Sequence, residues 1–107
     1  MRTITILLFV TLGWFSTVKA EDIHFKMSPN PASSKVELAL TELNPGTLQI
    51  EVFNVLGSKI LTLYYNVDKG DNTIELNVSD IPEGVYLVRV QQNSNASVKR
   101  LKIQHTD

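Results

Sequence analysis

The chain has two histidines, His24 and His105, and no cysteine, so the side chains most used as general base, nucleophile or soft metal ligand are nearly absent. It contains no Gly-x-Ser-x-Gly elbow and no His-Glu-x-x-His pair, the arrangements that expose a serine nucleophile or hold a zinc-bound water. His24 and His105 lie towards opposite ends of the sequence. They would make half a metal site if the first and last strands paired, but no third ligand stands at useful spacing. Two unrelated surface histidines are the simpler expectation.

Five of the eleven acidic residues fall in one stretch: Asp68, Asp71, Glu75, Asp80 and Glu83. Calcium needs about six to eight oxygens, which an alternating Asp-x-Asp-x-Asp-Gly loop concentrates and this spacing does not. A solvated acidic face with turn-forming aspartates is expected instead. A paired-carboxylate glycosidase site would need a deep sugar cleft, and a chain this short has little material for one. Two Asn-x-Ser sequons, at Asn77 and Asn95, are accounted for by the preference of Asn for turns and strand ends. The remaining cluster is Lys99-Arg100-Lys102. Because a strand alternates its faces, Lys99 must point opposite to Arg100 and Lys102, so the three do not form one flat patch. They are either charge that protects a sheet edge or a terminal handle for a partner. Neither catalytic, cofactor-binding nor metal residues are expected.

The elements that must carry these residues begin after residue 20. Met1-Arg2-Thr3 is a short positive start, Ile4 to Phe15 is mostly apolar, and Val18-Lys19-Ala20 ends the segment with the small-residue pattern of a signal peptidase site. Twelve helical residues at about 1.5 Å each reach roughly 18 Å, short of the ~30 Å hydrocarbon core. A cleaved signal peptide over 1–20 is therefore expected, with a domain over 21–107 and no membrane span in the mature chain. Losing Arg2 and Lys19 would move the formal charge from −1 to −3. Nucleic acid, whose phosphates demand a basic surplus, is excluded as a partner. Without cysteine, an exported domain must rely on sheet hydrogen bonds and core packing.

Apolar residues then recur with period two. Val36, Leu38 and Leu40 form one such set, Leu48, Ile50 and Val52 a second, Ile74, Leu76 and Val78 a third, and Tyr86, Val88 and Val90 a fourth. Each run offers one face to a core and one to water. Ile60 to Tyr65 is apolar on both faces, as in a central or partly covered strand. Ala96 to Ile103, rich in Lys and Arg, suits an edge strand. With Ile23 to Met27 this makes about seven strands separated by turn residues, among them Asn44-Pro45-Gly46, Asp68 to Asn72 and Asn93-Ser94-Asn95. Ile81-Pro82-Glu83-Gly84 fits a type I turn. The spacing predicts an all-β, small antiparallel Ig-like or Greek-key sandwich.

The ordered motifs from about Phe25 to Gln104 resemble the C-terminal sorting domain (type A) of the bacterial type IX secretion system, found in Bacteroidota-like bacteria. They are Met27-Ser28-Pro29-Asn30-Pro31; Leu48 to Gly57; Gly70-Asp71-Asn72-Thr73-Ile74; Ile81 to Val90; and the basic finish Val98 to Ile103. Physical reasons accompany the motif residues. Pro29 and Pro31 around Asn30 hold a non-helical backbone before the first core strand. Gly57 suits a tight hairpin needing positive φ, Gly84 ends a turn, and Tyr86 buries its ring while its hydroxyl reaches a polar partner. The resemblance implies passage through the periplasm and recognition by type IX secretion machinery at the outer membrane, then a place on the cell surface or outside the cell. It also implies that Lys99, Arg100 and Lys102 are among the recognition elements, with Val98 to Ile103 open to strand addition.

The family normally appends this domain to a large cargo, whereas here only Glu21 to Lys26 separate the expected cleavage site from the Met27 to Pro31 motif. A nearly free-standing sorting domain, a small secreted domain kept for another binding role, and a truncated gene all fit. The alternative function is a secreted adhesion or carbohydrate-binding sandwich, which would require exposed rings among Phe25, Phe53, Tyr64, Tyr65 and Tyr86. A monomer without cofactor is expected.

Overall fold

Alternating burial of the period-two runs, seen in a computed structural model that describes residues 23–105, assembles seven antiparallel strands. They are β1 (His24–Ser28), β2 (Lys35–Leu43), β3 (Gly46–Asn54), β4 (Lys59–Val67), β5 (Gly70–Asn77), β6 (Gly84–Gln92) and β7 (Asn95–Ile103). The expected signal peptide, residues 1–20, lies outside the described residues. Among those described there is no helix long and apolar enough to cross a membrane.

Two sheets form, ordered β1-β2-β5 and β4-β3-β6-β7. The chain changes sheet between β2 and β3, between β4 and β5, and between β5 and β6, which is the Greek-key connectivity of an Ig-like sandwich. The four sequence-predicted apolar sets all face the interior. Leu38, Leu48, Ile50, Val88, Val90, Leu101 and others are essentially inaccessible to water, so period two alone decides which side of each strand is core.

Two local features are decided by the structure. Of the two expectations for the Ile60 to Tyr65 run, the partly covered strand holds and the central one does not: β4 is the outer strand of the four-stranded sheet, paired with β3 alone. Leu61, Leu63 and Tyr65 are half-covered by the core, while Tyr64 on the other side is 66% exposed. Its two-sided apolarity reflects one face on the core and one on the surface. The hydrogen-bonded turn after β5 also closes earlier than Ile81 to Gly84, with Ile81 N–H donating to the Val78 carbonyl at 3.1 Å. Asn77 Oδ1 accepts from Ser79 N–H (3.0 Å) and Ser79 Oγ (2.6 Å), an Asx geometry that bends the chain there first.

Candidate functional site

β7 carries the basic residues and pairs with β6 along its full length, Gly84 opposite Ile103 and Gln92 opposite Asn95. In an antiparallel strand the N–H and C=O of alternate residues point to the same side. The outer edge of β7 is therefore formed by the backbone of Ala96, Val98, Arg100 and Lys102. Its basic half is closed by the Pro-Asn-Pro segment. Asn30 Nδ2 donates to the Arg100 carbonyl (3.1 Å), and Lys102 N–H donates to Asn30 Oδ1 (3.0 Å). Ala32 N–H then donates to the Lys102 carbonyl (2.9 Å), and Gln104 N–H to the Ala32 carbonyl (2.8 Å), forming a short parallel bridge of Ala32 with Ile103.

The side-chain amide of Asn30 thus stands in for one residue of a missing strand. Strand addition over Val98 to Ile103 is accordingly corrected: Arg100 to Ile103 are already engaged, and among the described residues the edge at Ala96 and Val98 is what remains. Sequence reasoning gave Asn30 only a backbone role. The signal available was an amide, carrying donor and acceptor together, held between two prolines.

The three cations separate as alternation requires. Lys99 turns to the inter-sheet side, its Nζ 5.7 Å from the centre of the buried Phe25 ring, a cation–π distance. Arg100 pairs in register with Leu87, and Lys102 with Val85, which places both on the outer face of the four-stranded sheet. At the middle of that face sits an acid that sequence pattern did not single out. Glu51 is only 5% exposed although it points away from the core. Lys59 Nζ lies 3.0 Å from its Oε2, and Arg89 Nη1 donates to its Oε1 at 2.7 Å. The Lys59 hydrogen bond, aided by Arg89 and opposed by desolvation, holds the carboxyl below its ordinary pKa. A bulge brings Lys59 round to this face, since Val52 opposes Leu61 but Phe53 opposes Lys59, leaving Ile60 as the extra residue.

At the opposite end from the β6–β7 hairpin, Tyr86 is 7% exposed and its hydroxyl donates to the Pro82 carbonyl at 2.6 Å. This is the tyrosine corner of Ig-like sandwiches. An added Cβ at Gly84 would rest against the Tyr86 ring at 3.6 Å. Gly57 closes the β3–β4 turn with φ +87, and Asn54 Oδ1 accepts from both Leu56 and Ser58 N–H (3.0 and 2.9 Å). His105 fastens the same end. Its Nδ1 is 2.7 Å from the Ser33 carbonyl and its Nε2 2.7 Å from the Ile81 carbonyl, while its N–H donates to Glu83 Oε1 (2.8 Å). Two carbonyls facing the two ring nitrogens are both satisfied only by the imidazolium, and the pKa is raised, chiefly by the Ile81 contact and then by Ser33.

The histidines do not meet. Ile23 N–H donates to Ser97 Oγ (2.8 Å), which puts neighbouring His24 near the start of β7, whereas His105 follows its end. Six residues of strand span roughly 20 Å. Among the described residues no group of three or more His, Asp or Glu could hold a metal ion. Asp68 and Asp71 serve the β4–β5 turn, where Asn72 Nδ2 donates to the Asp68 carbonyl (2.8 Å) and Asp71 Oδ1 accepts from Glu42 N–H (3.3 Å). Glu75 faces Lys35 at 3.6 Å on an exposed surface. An open groove of 740 Å³ runs between β1 and the free half of β7, lined by residues including Phe25, Lys26, Ala96, Val98 and Lys99.

In comparisons with known proteins, the model of a family described as the secretion system C-terminal sorting domain matches residues 26–104. No curated protein matches the chain.

Proposed function

Because the chain belongs to the secretion system C-terminal sorting domain family, a type IX sorting signal that directs export to the cell surface or beyond, we propose that its domain works as a non-catalytic docking module. It is read by outer-membrane type IX machinery as a folded monomer after delivery to the periplasm by a cleaved signal peptide over residues 1–20. The observation that carries this reading is the match itself, which runs from β1 to just past β7. The contact between Asn30 and β7 supports it, because it joins the first and last matched motifs into one rigid unit on which Arg100 and Lys102 are displayed. Lys99, Arg100 and Lys102 are the recognition residues of the proposal.

The carbohydrate-binding alternative draws little support. Among the described aromatic residues only Tyr64 is exposed, while Phe25 and Tyr86 fill the core. The test is a reporter carrying residues 21–107 behind an export signal in a host with a type IX system. The reporter is expected in the medium or on the surface. Retention in the periplasm overturns the reading.

A further inference from the structure

Much of the exposed apolar surface among the described residues lies on one side, with Ile60, 42% exposed, apart from it at the β3–β4 bulge. Tyr64, Val85, Leu87 and Val98 are 66%, 37%, 38% and 52% exposed, and the register places all four on the outer face of the four-stranded sheet. Leu87 lies between Phe53 and Arg100, Val85 beside Lys102, and Val98 beside Arg89. Val55 and Leu56, also exposed, sit in the turn that follows Phe53. The outer face of the three-stranded sheet instead shows Lys35, Glu37, Thr73 and Glu75. Phe53, Leu87 and Val85 adjoin on the four-stranded face, with Val98 diagonal to Leu87, whereas Tyr64 lies across the Glu51–Arg89 row. Exposed apolar residues grouped on one side of a small domain mark an interaction site.

Charge adds the partner's chemistry. Among the described residues the face holds Lys59, Arg89, Arg100 and Lys102 against Glu51 alone. Glu51 engages Lys59 and Arg89, and among the described residues no acid pairs with Arg100 or Lys102 along the β7 side. Resting on the export reading above, we infer that the part of this face around Leu87 and Phe53, bordered by Arg100 and Lys102, docks a protein surface that presents carboxylates beside an apolar centre. Two unneutralised cations are fewer than the roughly four to eight that mark binding to anionic lipid, and a second copy of the chain in two-fold contact would bring together two faces of the same positive net charge. Both arguments favour a different, acidic protein.

The reporter fusion of residues 21–107 separates this inference from the reading it rests on. If the unmodified fusion is not exported, the export reading falls and this inference with it. With the unmodified fusion exported, Leu87→Asp and the pair Arg100→Glu/Lys102→Glu are each expected to cut export about tenfold or more. Glu37→Lys/Glu75→Lys on the other sheet should leave it within about twofold. Thermal melting of each purified variant near the unmodified midpoint confirms that surface rather than fold was changed. Val98→Asp replaces Leu87→Asp if the latter melts early. Export unaltered by the face variants, or lost equally with the opposite-sheet pair, overturns the inference. So does binding of the purified chain to vesicles of anionic phospholipid that depends on Arg100 and Lys102 while Leu87→Asp exports normally, and so does a dimer in sedimentation that Leu87→Asp dissociates.

Discussion

Replacing Asn30 by Ala removes both side-chain contacts to β7 while leaving Pro29, Pro31 and the Ala32 bridge in place. A hydrogen bond contributes about 0.5–1.5 kcal/mol net, so two sum to about 1–3 kcal/mol. Both lie in an exposed setting where water replaces part of the loss, which brings the expectation to about 1–2 kcal/mol. For a domain of this size that lowers the melting midpoint by about 4–8 °C per kcal/mol. The sharper readout is amide exchange. Lys102 N–H points away from β6 and has Asn30 Oδ1 as its acceptor, so its protection should fall by about 5–30-fold, the equivalent of 1–2 kcal/mol. Leu101, paired with Tyr86 inside the sheet, should lose no more than global destabilisation accounts for. Asn30→Asp keeps the acceptor for Lys102 and turns an oxygen towards the Arg100 carbonyl, so it should retain Lys102 protection better than Ala. If Lys102 and Leu101 change in parallel in Asn30→Ala, the side chain is not closing the edge and the reasoning is wrong.

Three further outcomes follow from named contacts. Tyr86→Phe keeps the buried ring and loses only the bond to Pro82, so chemical denaturation should show a loss of about 1 kcal/mol, against about 3–5 kcal/mol for Tyr86→Ala, which also opens a cavity. Gly57→Ala meets no atom within 4 Å yet must adopt φ +87, so calorimetry should show a loss of about 1–2 kcal/mol from backbone strain alone; Gly57→Asn, which tolerates that region better, should lose less. The raised His105 pKa means that the native state holds the proton more tightly than the unfolded chain. Its stabilisation is therefore full below the unfolded value near 6.5 and is lost as pH rises through the higher folded value. Melting midpoints of the unmodified protein should fall across that window relative to His105→Gln, and parallel curves would refute the imidazolium assignment.

Much of this molecule was legible locally. Sets such as Val36, Leu38, Leu40 and Tyr86, Val88, Val90 announce strands and their buried faces because side-chain direction in a strand follows residue parity. The same rule separates Lys99 from Arg100 and Lys102 before any fold is known. Glycine at position 57 signals its turn through backbone sterics, which neighbours alone impose. What depended on tertiary structure is every relation between residues distant in the chain. The two-sided apolarity of Ile60 to Tyr65 is compatible with several strand orders, and only the assembled sheet puts β4 at an edge with Tyr64 in solvent. Glu51 reads as one more solvent-facing acid until the β3–β4 bulge and β6 bring Lys59 and Arg89 over it. Asn30 and Lys102 are 72 positions apart, as are His105 and Ser33. Such contacts leave no periodic trace, since hydrogen bonding between side chain and distant backbone depends on where the whole chain closes and not on its local pattern.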